Sequence, residues 1–379
     1  MTILDSIQMV DLKGQYQGIR QEVEKNMHEV LQSCAFINGS FVKKFAAELS
    51  IYLDVKHTIP CANGTDALQI ALMALGLKAG DEVITPAFTY VATAEVIALL
   101  GLKPVFVDVN ADTFTIDLED LQRKITARTK CIIPVHLYGQ VADIQAIMNV
   151  AKKNNLFVVE DNAQAIGASY RFEDGTQRKA GGFGHIACTS FYPSKNLGCF
   201  GDGGAIFTQD DELASRIRKI ANHGQNSLYE FEMIGVNSRL DSLQAAVLLP
   251  KLARLDTYNK ARQQAAHFYD KAFKNCEKII IPKRAVYSTH VFHQYTIKLK
   301  EKRDELRTFL RAAGVPSMVY YPLPIHLQKG YQQFGYEKGS LPVSEKLCEQ
   351  VISLPMHTEL TKEQLAYICE KVLMFVENN

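Results

Sequence analysis

Lys195 lies in Thr189-Ser190-Phe191-Tyr192-Pro193-Ser194-Lys195-Asn196, between the apolar run Ile186-Ala187-Cys188 and a glycine-rich return, Gly201-Asp202-Gly203-Gly204. Upstream, the hydrophobic run Leu156-Phe157-Val158-Val159 ends in Glu160-Asp161-Asn162-Ala163-Gln164. An acid at a strand end, then a lysine in a Ser/Gly-rich loop, is the pair that pyridoxal phosphate (PLP) chemistry needs. The lysine forms a Schiff base with the aldehyde, and the acid pairs with the pyridinium nitrogen, keeping the ring an electron sink. One lysine among 42 Lys plus Arg proves little alone, because a lysine near glycines is ordinarily a solvated loop residue. Spacing also leaves Glu160 and Asp161 as competing acids, and either can simply cap the following turn.

Other positions add candidates, each with a plainer alternative. Asn63-Gly64-Thr65 opens a strong helical pattern. Small residues there leave backbone N–H groups aimed at a phosphate, with the helix dipole adding positive potential; an ordinary N-cap explains them equally. Pro86-Ala87-Phe88-Thr89-Tyr90 follows a short strand, where the crevice of an open α/β sheet forms. Tyr90 there can stack on a flat ring or pack in a core. Asn237 and Arg239 in Gly235-Val236-Asn237-Ser238-Arg239 are anion-binding types, or an N-cap with a surface charge. Arg239 is the candidate for a substrate carboxylate, which guanidinium reads bidentately. Tyr320-Tyr321-Pro322-Leu323-Pro324-Ile325-His326 is either a substrate lid or a packed turn.

Elements that place these residues are legible as alternating helix and strand patterns. Asp66–Leu75, Ala92–Leu100 and Ile144–Lys153 read as helices; Glu82–Thr85, Pro104–Val109, Cys131–Val135 and Phe157–Val159 read as short apolar strands. Such alternation predicts an α/β fold with a mostly parallel sheet covered on both faces. From Leu240 to Phe273 one long helix is expected, kinked at Pro250. Beyond it come strands near Val291–Leu299, a helix over Arg303–Ala313 and a last helix over Thr361–Val376. The chain divides into a large domain, residues 1–250, with an N-terminal helical segment, and a smaller C-terminal α+β domain, residues 251–379.

At 379 residues there is room for two cores. A net charge of +1 calls for neither nucleic acid nor an anionic membrane, and no apolar run approaches the ~20 residues of a membrane helix. Met1–Ser6 shows no secretion signal. The eight cysteines are scattered without Cys-x-x-Cys pairs, and no His-Glu-x-x-His occurs. Reduced, mostly buried thiols, a cytoplasmic location and no metal are therefore expected. No Gly-x-Gly-x-x-Gly after a strand supports a nicotinamide enzyme, and no P-loop exists.

Taken in order, these motifs resemble one family. Asn63-Gly64-Thr65, Pro86 to Thr93, Pro134-Val135-His136-Leu137-Tyr138-Gly139, Glu160 to Gln164, Ser190 to Lys195, Gly201 to Gly204, His223-Gly224 and Asn237 to Leu240 come in the series of the DegT/DnrJ/EryC1/StrS nucleotide-sugar aminotransferases, which have the fold-type I PLP architecture. The likeness runs from about Val10 to Leu373. It implies that Lys195 holds PLP covalently, Asp161 pairs with the ring nitrogen, Gln164 contacts the 3-hydroxyl and Tyr90 covers the ring. It implies that Gly64, Thr65 and Ser190 hold the phosphate, and that Asn237 reaches the neighbouring subunit's cofactor in an obligate homodimer.

Within the family, the chain is similar to enzymes that use L-glutamate to aminate the 3-keto group of a UDP-linked N-acetylated 3-oxo-glucuronic acid for bacterial surface polysaccharide. His136 and Tyr320-Tyr321-Pro322 depart from that subfamily near the sugar pocket, where Ser and His-Tyr-Pro also occur. His136, Tyr320, Tyr321, His326 and Arg239 are the substrate candidates. The remaining alternatives are a 4-keto- or 3-keto-6-deoxy-sugar aminotransferase and a PLP-binding regulator. A sugar dehydratase of the family has His in place of the lysine, which Lys195 opposes.

Overall fold

The computed structural model describes residues 7–378; the N-terminal Met1–Ser6, read above as carrying no secretion signal, lies outside them. Helices α1 (Leu12–Ser33) and α2 (Ser40–Leu53) precede a seven-stranded sheet. Its strands are β1 (His57–Cys61), β2 (Glu82–Pro86), β3 (Lys103–Val107), β4 (Thr129–Ile132), β5 (Phe157–Asp161), β8 (Ile186–Ser190) and β9 (Gly204–Thr208), with β6 (Ser169–Arg171) and β7 (Gln177–Lys179) forming a separate hairpin. The lateral order is β1-β9-β8-β5-β4-β2-β3. From β8 to β3 every pair is parallel, while β9 runs against both its neighbours.

Intervening helices are α3 (Gly64–Ala74), α4 (Ala92–Leu99), α5 (Leu118–Arg123), α6 (Ile144–Asn154) and α7 (Asp211–Ala221). Successive strand side chains point to opposite faces, and both faces are apolar. Val83, Cys131, Val159, Ile186 and Ile206 pack under α3, α4 and α7. Ile84, Ile132 and Val158 pack under α5 and α6. Ala187, Ala205 and Phe207 pack under α2 and α8 (Ser242–Leu252). Burial on both sides is why the strands read as unbroken apolar runs.

The 240–273 region is two helices, α8 and α9 (Leu255–Phe273), rather than one kinked helix. Pro250 lies inside α8 without ending it. A proline leaves the carbonyl four residues back without its N–H partner; here Asn26 of α1 donates its side-chain amide to the Ala246 oxygen at 3.1 Å. The break comes at Ala253–Arg254, where Arg254 takes φ −109° and ψ 1°. α9 places Leu255 in the core beneath the large sheet and Ala265, Ala266, Tyr269 and Phe273 in a second core.

That second core covers a three-stranded antiparallel sheet, β12 (Ile279–Ile280), β13 (Tyr295–Leu299) and β14 (Val351–Leu354), packed by α10 (Arg303–Ala312) and α12 (Lys362–Glu377). β13 starts four residues later than expected, because His290–Gln294 is irregular, with Phe292 at φ 46°. α11 (Pro342–Gln350) sits between the two sheets, its first turn capped by Asp108 at the end of β3 through Val343 N (2.8 Å) and Ser344 N (2.7 Å). A short hairpin, β10 (Gln225–Ser227) and β11 (Glu230–Phe231), stands apart. All eight cysteines are free thiols; six are buried, Cys276 is half-buried and Cys34 is exposed. Among the described residues no helix is long and apolar enough to cross a membrane.

Candidate active site

The carboxyl ends of β1, β2, β4, β5 and β8 open onto one crevice, the usual ligand position in an open α/β sheet. At one corner α3 begins. Asn63 caps it by accepting from Asp66 N at 2.8 Å. The Gly64 and Thr65 N–H groups have no acceptor among the described residues. A Cβ on Gly64 would stand 2.7 Å from the Ser190 Cβ, so only glycine lets the helix start meet the end of β8. Gly204 is required likewise, since its Cβ would fall 2.4 Å from the Asn63 carbonyl oxygen. Two free N–H groups, the Thr65 and Ser190 hydroxyls and a helix dipole thus converge, which is what a phosphate needs. Ser238 accepts from Ala62 N at 3.1 Å, bringing the 237–239 segment of the same chain to this corner.

The two adjacent acids separate at β5, where they face opposite sides of the sheet. Glu160 is fully buried and saturated. It accepts from Phe183 N and Gly184 N, both at 2.7 Å, from Gly181 N at 3.2 Å and from His136 Nε2 at 3.0 Å. His136 Nδ1 accepts from Ala142 N at 3.2 Å, so its proton sits on Nε2 and points at Glu160. His136 is therefore not a substrate contact; it is fully enclosed and ties the 134–142 segment to β5. Asp161 keeps capacity. Its Oδ1 accepts from Ala163 N at 3.1 Å and its Oδ2 from the Thr93 hydroxyl at 2.7 Å, leaving a lone pair on each oxygen.

Lys195 is half-buried, and its amine makes no hydrogen bond among the described residues. Burial pulls its pKa down to about 8, against the opposing pull of the Asp161 charge. Its loop is pinned on all sides. Lys195 N donates to Tyr192 O at 2.8 Å, Asn196 donates to Val291 O at 3.0 Å and Asn259 Oδ1 at 2.7 Å, and the buried Lys251 amine donates to Gly198 O at 2.7 Å. His293 packs behind this loop. Burial, with the Lys195 and Arg262 charges adding to it, pushes its pKa well below the usual histidine range. Neither His293 nor Thr93 is a sequence candidate; Thr93 lies within a quoted motif, but nothing in its spacing pairs it with Asp161.

Opposite the sheet stands the 318–326 segment. Gln164 Oε1 accepts from Tyr138 N at 2.8 Å and its amide donates to the Tyr321 hydroxyl at 3.2 Å. The Tyr321 ring lies 6.4 Å from the ring of Tyr90, which is exposed. The Tyr138 hydroxyl donates to the Tyr320 carbonyl. His326 corrects another expectation. It is fully enclosed with Nε2 on Glu345 at 3.1 Å, and Glu345 also accepts from Gly339 N and Leu341 N, so this histidine holds a turn. Arg239 is half-buried with no ion pair or hydrogen bond to its guanidinium among the described residues. Asn237 is exposed at the foot of the β10–β11 hairpin. A separate cleft of about 380 Å³ between Asp143, Tyr170, Phe172 and Tyr287 contains none of the candidates.

Residues 17–373 match the profile of the DegT/DnrJ/EryC1/StrS aminotransferase family. The chain belongs to that family. It is 47% identical over 363 residues, 96% of this chain and 98% of its relative, to the UDP-2-acetamido-2-deoxy-3-oxo-D-glucuronate aminotransferase of Pseudomonas aeruginosa. It is 46% identical over 372 residues, 98% of each chain, to a protein of Geobacillus stearothermophilus named a pleiotropic regulatory protein. A solved DegT DnrJ EryC1 StrS aminotransferase from Brucella abortus superposes with a TM-score of 0.93 at 41% identity, covering 98% of this chain and 99% of that one. NtdA from Bacillus subtilis, solved with bound cofactor PMP, superposes at 0.87 with 34% identity over 94% of this chain and 82% of that one. This aminotransferase has the fold-type I architecture and uses PLP. Its residues fit the group: an anion cradle at α3, a lysine amine without a partner, and a buried carboxylate with free lone pairs share one crevice.

Proposed function

We propose that the enzyme transfers an amino group from L-glutamate to the 3-keto group of a UDP-linked 2-acetamido-2-deoxy-3-oxo-glucuronic acid, in cytoplasmic synthesis of a cell-surface polysaccharide sugar. The meeting of Gly64, Ser190, Asp161 and Lys195 at the strand ends carries the transaminase part. The similarity to the Pseudomonas enzyme supports the acceptor. PLP, when bound, supplies an electron sink for the carbanion. Gly64, Thr65 and Ser190 would hold its phosphate, Asp161 would pair with its ring nitrogen, Gln164 would meet the 3-hydroxyl and Tyr90 would cover one face. Lys195 Nζ would be the tether and, once free, would move the proton off the donor's α-carbon and later onto the sugar carbon that receives nitrogen. A depressed pKa near 8 suits that base role. Arg239, lacking a partner, takes a carboxylate of glutamate or of the uronic acid. Tyr320 and Tyr321 border the sugar.

A homodimer with shared sites completes this reading. Leu228, Tyr229, Phe231 and Ile234 are all exposed on the hairpin beside Asn237, an apolar tip suited to a second copy. Mixing Lys195→Ala with Asn237→Ala should restore part of the activity through mixed dimers; no recovery despite subunit exchange would place each site within one chain.

The acceptor is tested by incubating the PLP form with glutamate and a panel of UDP- and TDP-linked keto sugars, followed by mass. A neutral 6-deoxy sugar should turn over roughly ten- to a hundredfold more slowly, the loss of one charge-assisted contact. Equal turnover of TDP-4-keto-6-deoxyglucose overturns the acceptor, and no turnover of any sugar favours a PLP-binding regulator.

A further inference from the structure

We infer that Thr93 is a positioning residue that fixes the Asp161 carboxylate and links it to Tyr90. The inference rests on the proposed role of Asp161 at the ring nitrogen. Thr93 is fully buried in the first turn of α4, where its hydroxyl donates to Asp161 Oδ2 at 2.7 Å. A hydroxyl has one proton, and the short contact takes it; the 3.4 Å approach to the Tyr90 carbonyl and the 3.5 Å approach to Thr89 are secondary. Ala163 N holds the other carboxylate oxygen at 3.1 Å. With a donor on each oxygen, rotation of the carboxylate plane is restrained, and a lone pair on each oxygen is left for a further donor.

The Thr93 backbone N–H also donates to Tyr90 O at 3.4 Å. One residue in the first turn of α4 thus connects the acid under the ring nitrogen to the tyrosine proposed to cover the ring. The connection has an electrostatic consequence. A hydrogen bond to the charged form of an acid holds it ionised. Without it, Asp161 would sit 6% exposed with one oxygen short of a donor, and its carboxylate would be free to turn away from the ring nitrogen.

Valine tests this with little change of shape, since it is β-branched like threonine. The apoprotein of each variant is titrated with PLP, following cofactor absorbance, and its thermal unfolding is recorded separately. Thr93→Val should weaken PLP binding roughly ten- to a hundredfold, the scale of a hydrogen bond to a charge. Thr93→Ser, which keeps the donor, should recover most of the affinity. Asp161→Asn is run alongside. If Asp161→Asn leaves binding and absorbance unchanged, the reading of Asp161 itself falls. If Asp161→Asn weakens binding and Thr93→Val does not, Thr93 has no positioning role. If Thr93→Val and Thr93→Ser lose apoprotein stability and PLP affinity equally, the residue acts through packing and the inference is overturned.

Discussion

The strand-end side of the crevice and the 318–345 segment facing it contain similar polar side chains, yet hold them differently. On the strand-end side, Lys195 has no side-chain partner and Asp161 retains lone pairs, although both stand in a tightly bonded frame. On the facing side, His326 is enclosed with its Nε2 on Glu345, and Tyr321 bonds Gln164 from the other wall. The groups proposed to do chemistry are left incompletely satisfied within a bonded frame. Gln164 and Glu345, which shape the walls, are satisfied by their neighbours. The same division separates Glu160, saturated by four donors, from Asp161 one residue on.

The largest test of this contrast is Lys195→Ala. It should fold and yet lose at least about a thousandfold in turnover, because tether and proton carrier go together. Borohydride should trap the cofactor on the Lys195 peptide; a label on another lysine breaks the assignment. Next comes the acid pair. Asp161→Asn should lower kcat by roughly a hundredfold with the fold intact, whereas Glu160→Gln should cost about 1–3 kcal/mol of stability by leaving buried donors mismatched. A dead but stable Glu160→Gln beside a near-normal Asp161→Asn would reverse the roles.

Smaller effects sharpen the facing wall. Tyr321→Phe should cost about fivefold in kcat/KM, the worth of one neutral hydrogen bond. His326→Gln should change thermal stability and leave kcat/KM for the sugar within about twofold; a large rise in KM would return His326 to the substrate. The smallest effect is in the apoprotein. Lys195 in the folded state is pulled to about 8, below its unfolded value, so the unfolded chain binds more protons between those values and stability rises with pH across them. Lys195→Met should therefore be more stable than wild type near pH 7, by on the order of 1–2 kcal/mol after discounting for water reaching a half-buried site. The gap should close as pH rises past about 10.5, where lysine is neutral in both states. A gap independent of pH would mean the amine is not strained by burial.

The sequence by itself determined the reaction class. Apolar runs at short spacing require a parallel sheet, and a parallel sheet brings its carboxyl ends together whatever the side chains are. Lys195, Asp161, Gln164, Ser190 and the Gly64–Thr65 turn were expected at that edge for that reason, since each ends such a run or lies within a few residues of one; their expected roles came from the family resemblance, not from spacing. Tertiary structure decided what hydrogen bonding decides. Alternation puts Glu160 and Asp161 on opposite faces, but only the 181–184 loop and His136 show which face is closed. His136 and His326 looked like pocket residues until the fold enclosed them, with Nε2 of each on a carboxylate, Glu160 and Glu345. α8 runs through Pro250 because Asn26, 220 positions away, takes the freed carbonyl. Thr93 meets Asp161 across 68 positions. Periodicity records whether a side chain is buried; it does not record what that side chain is bonded to, and for a polar group in a core the partner decides the role.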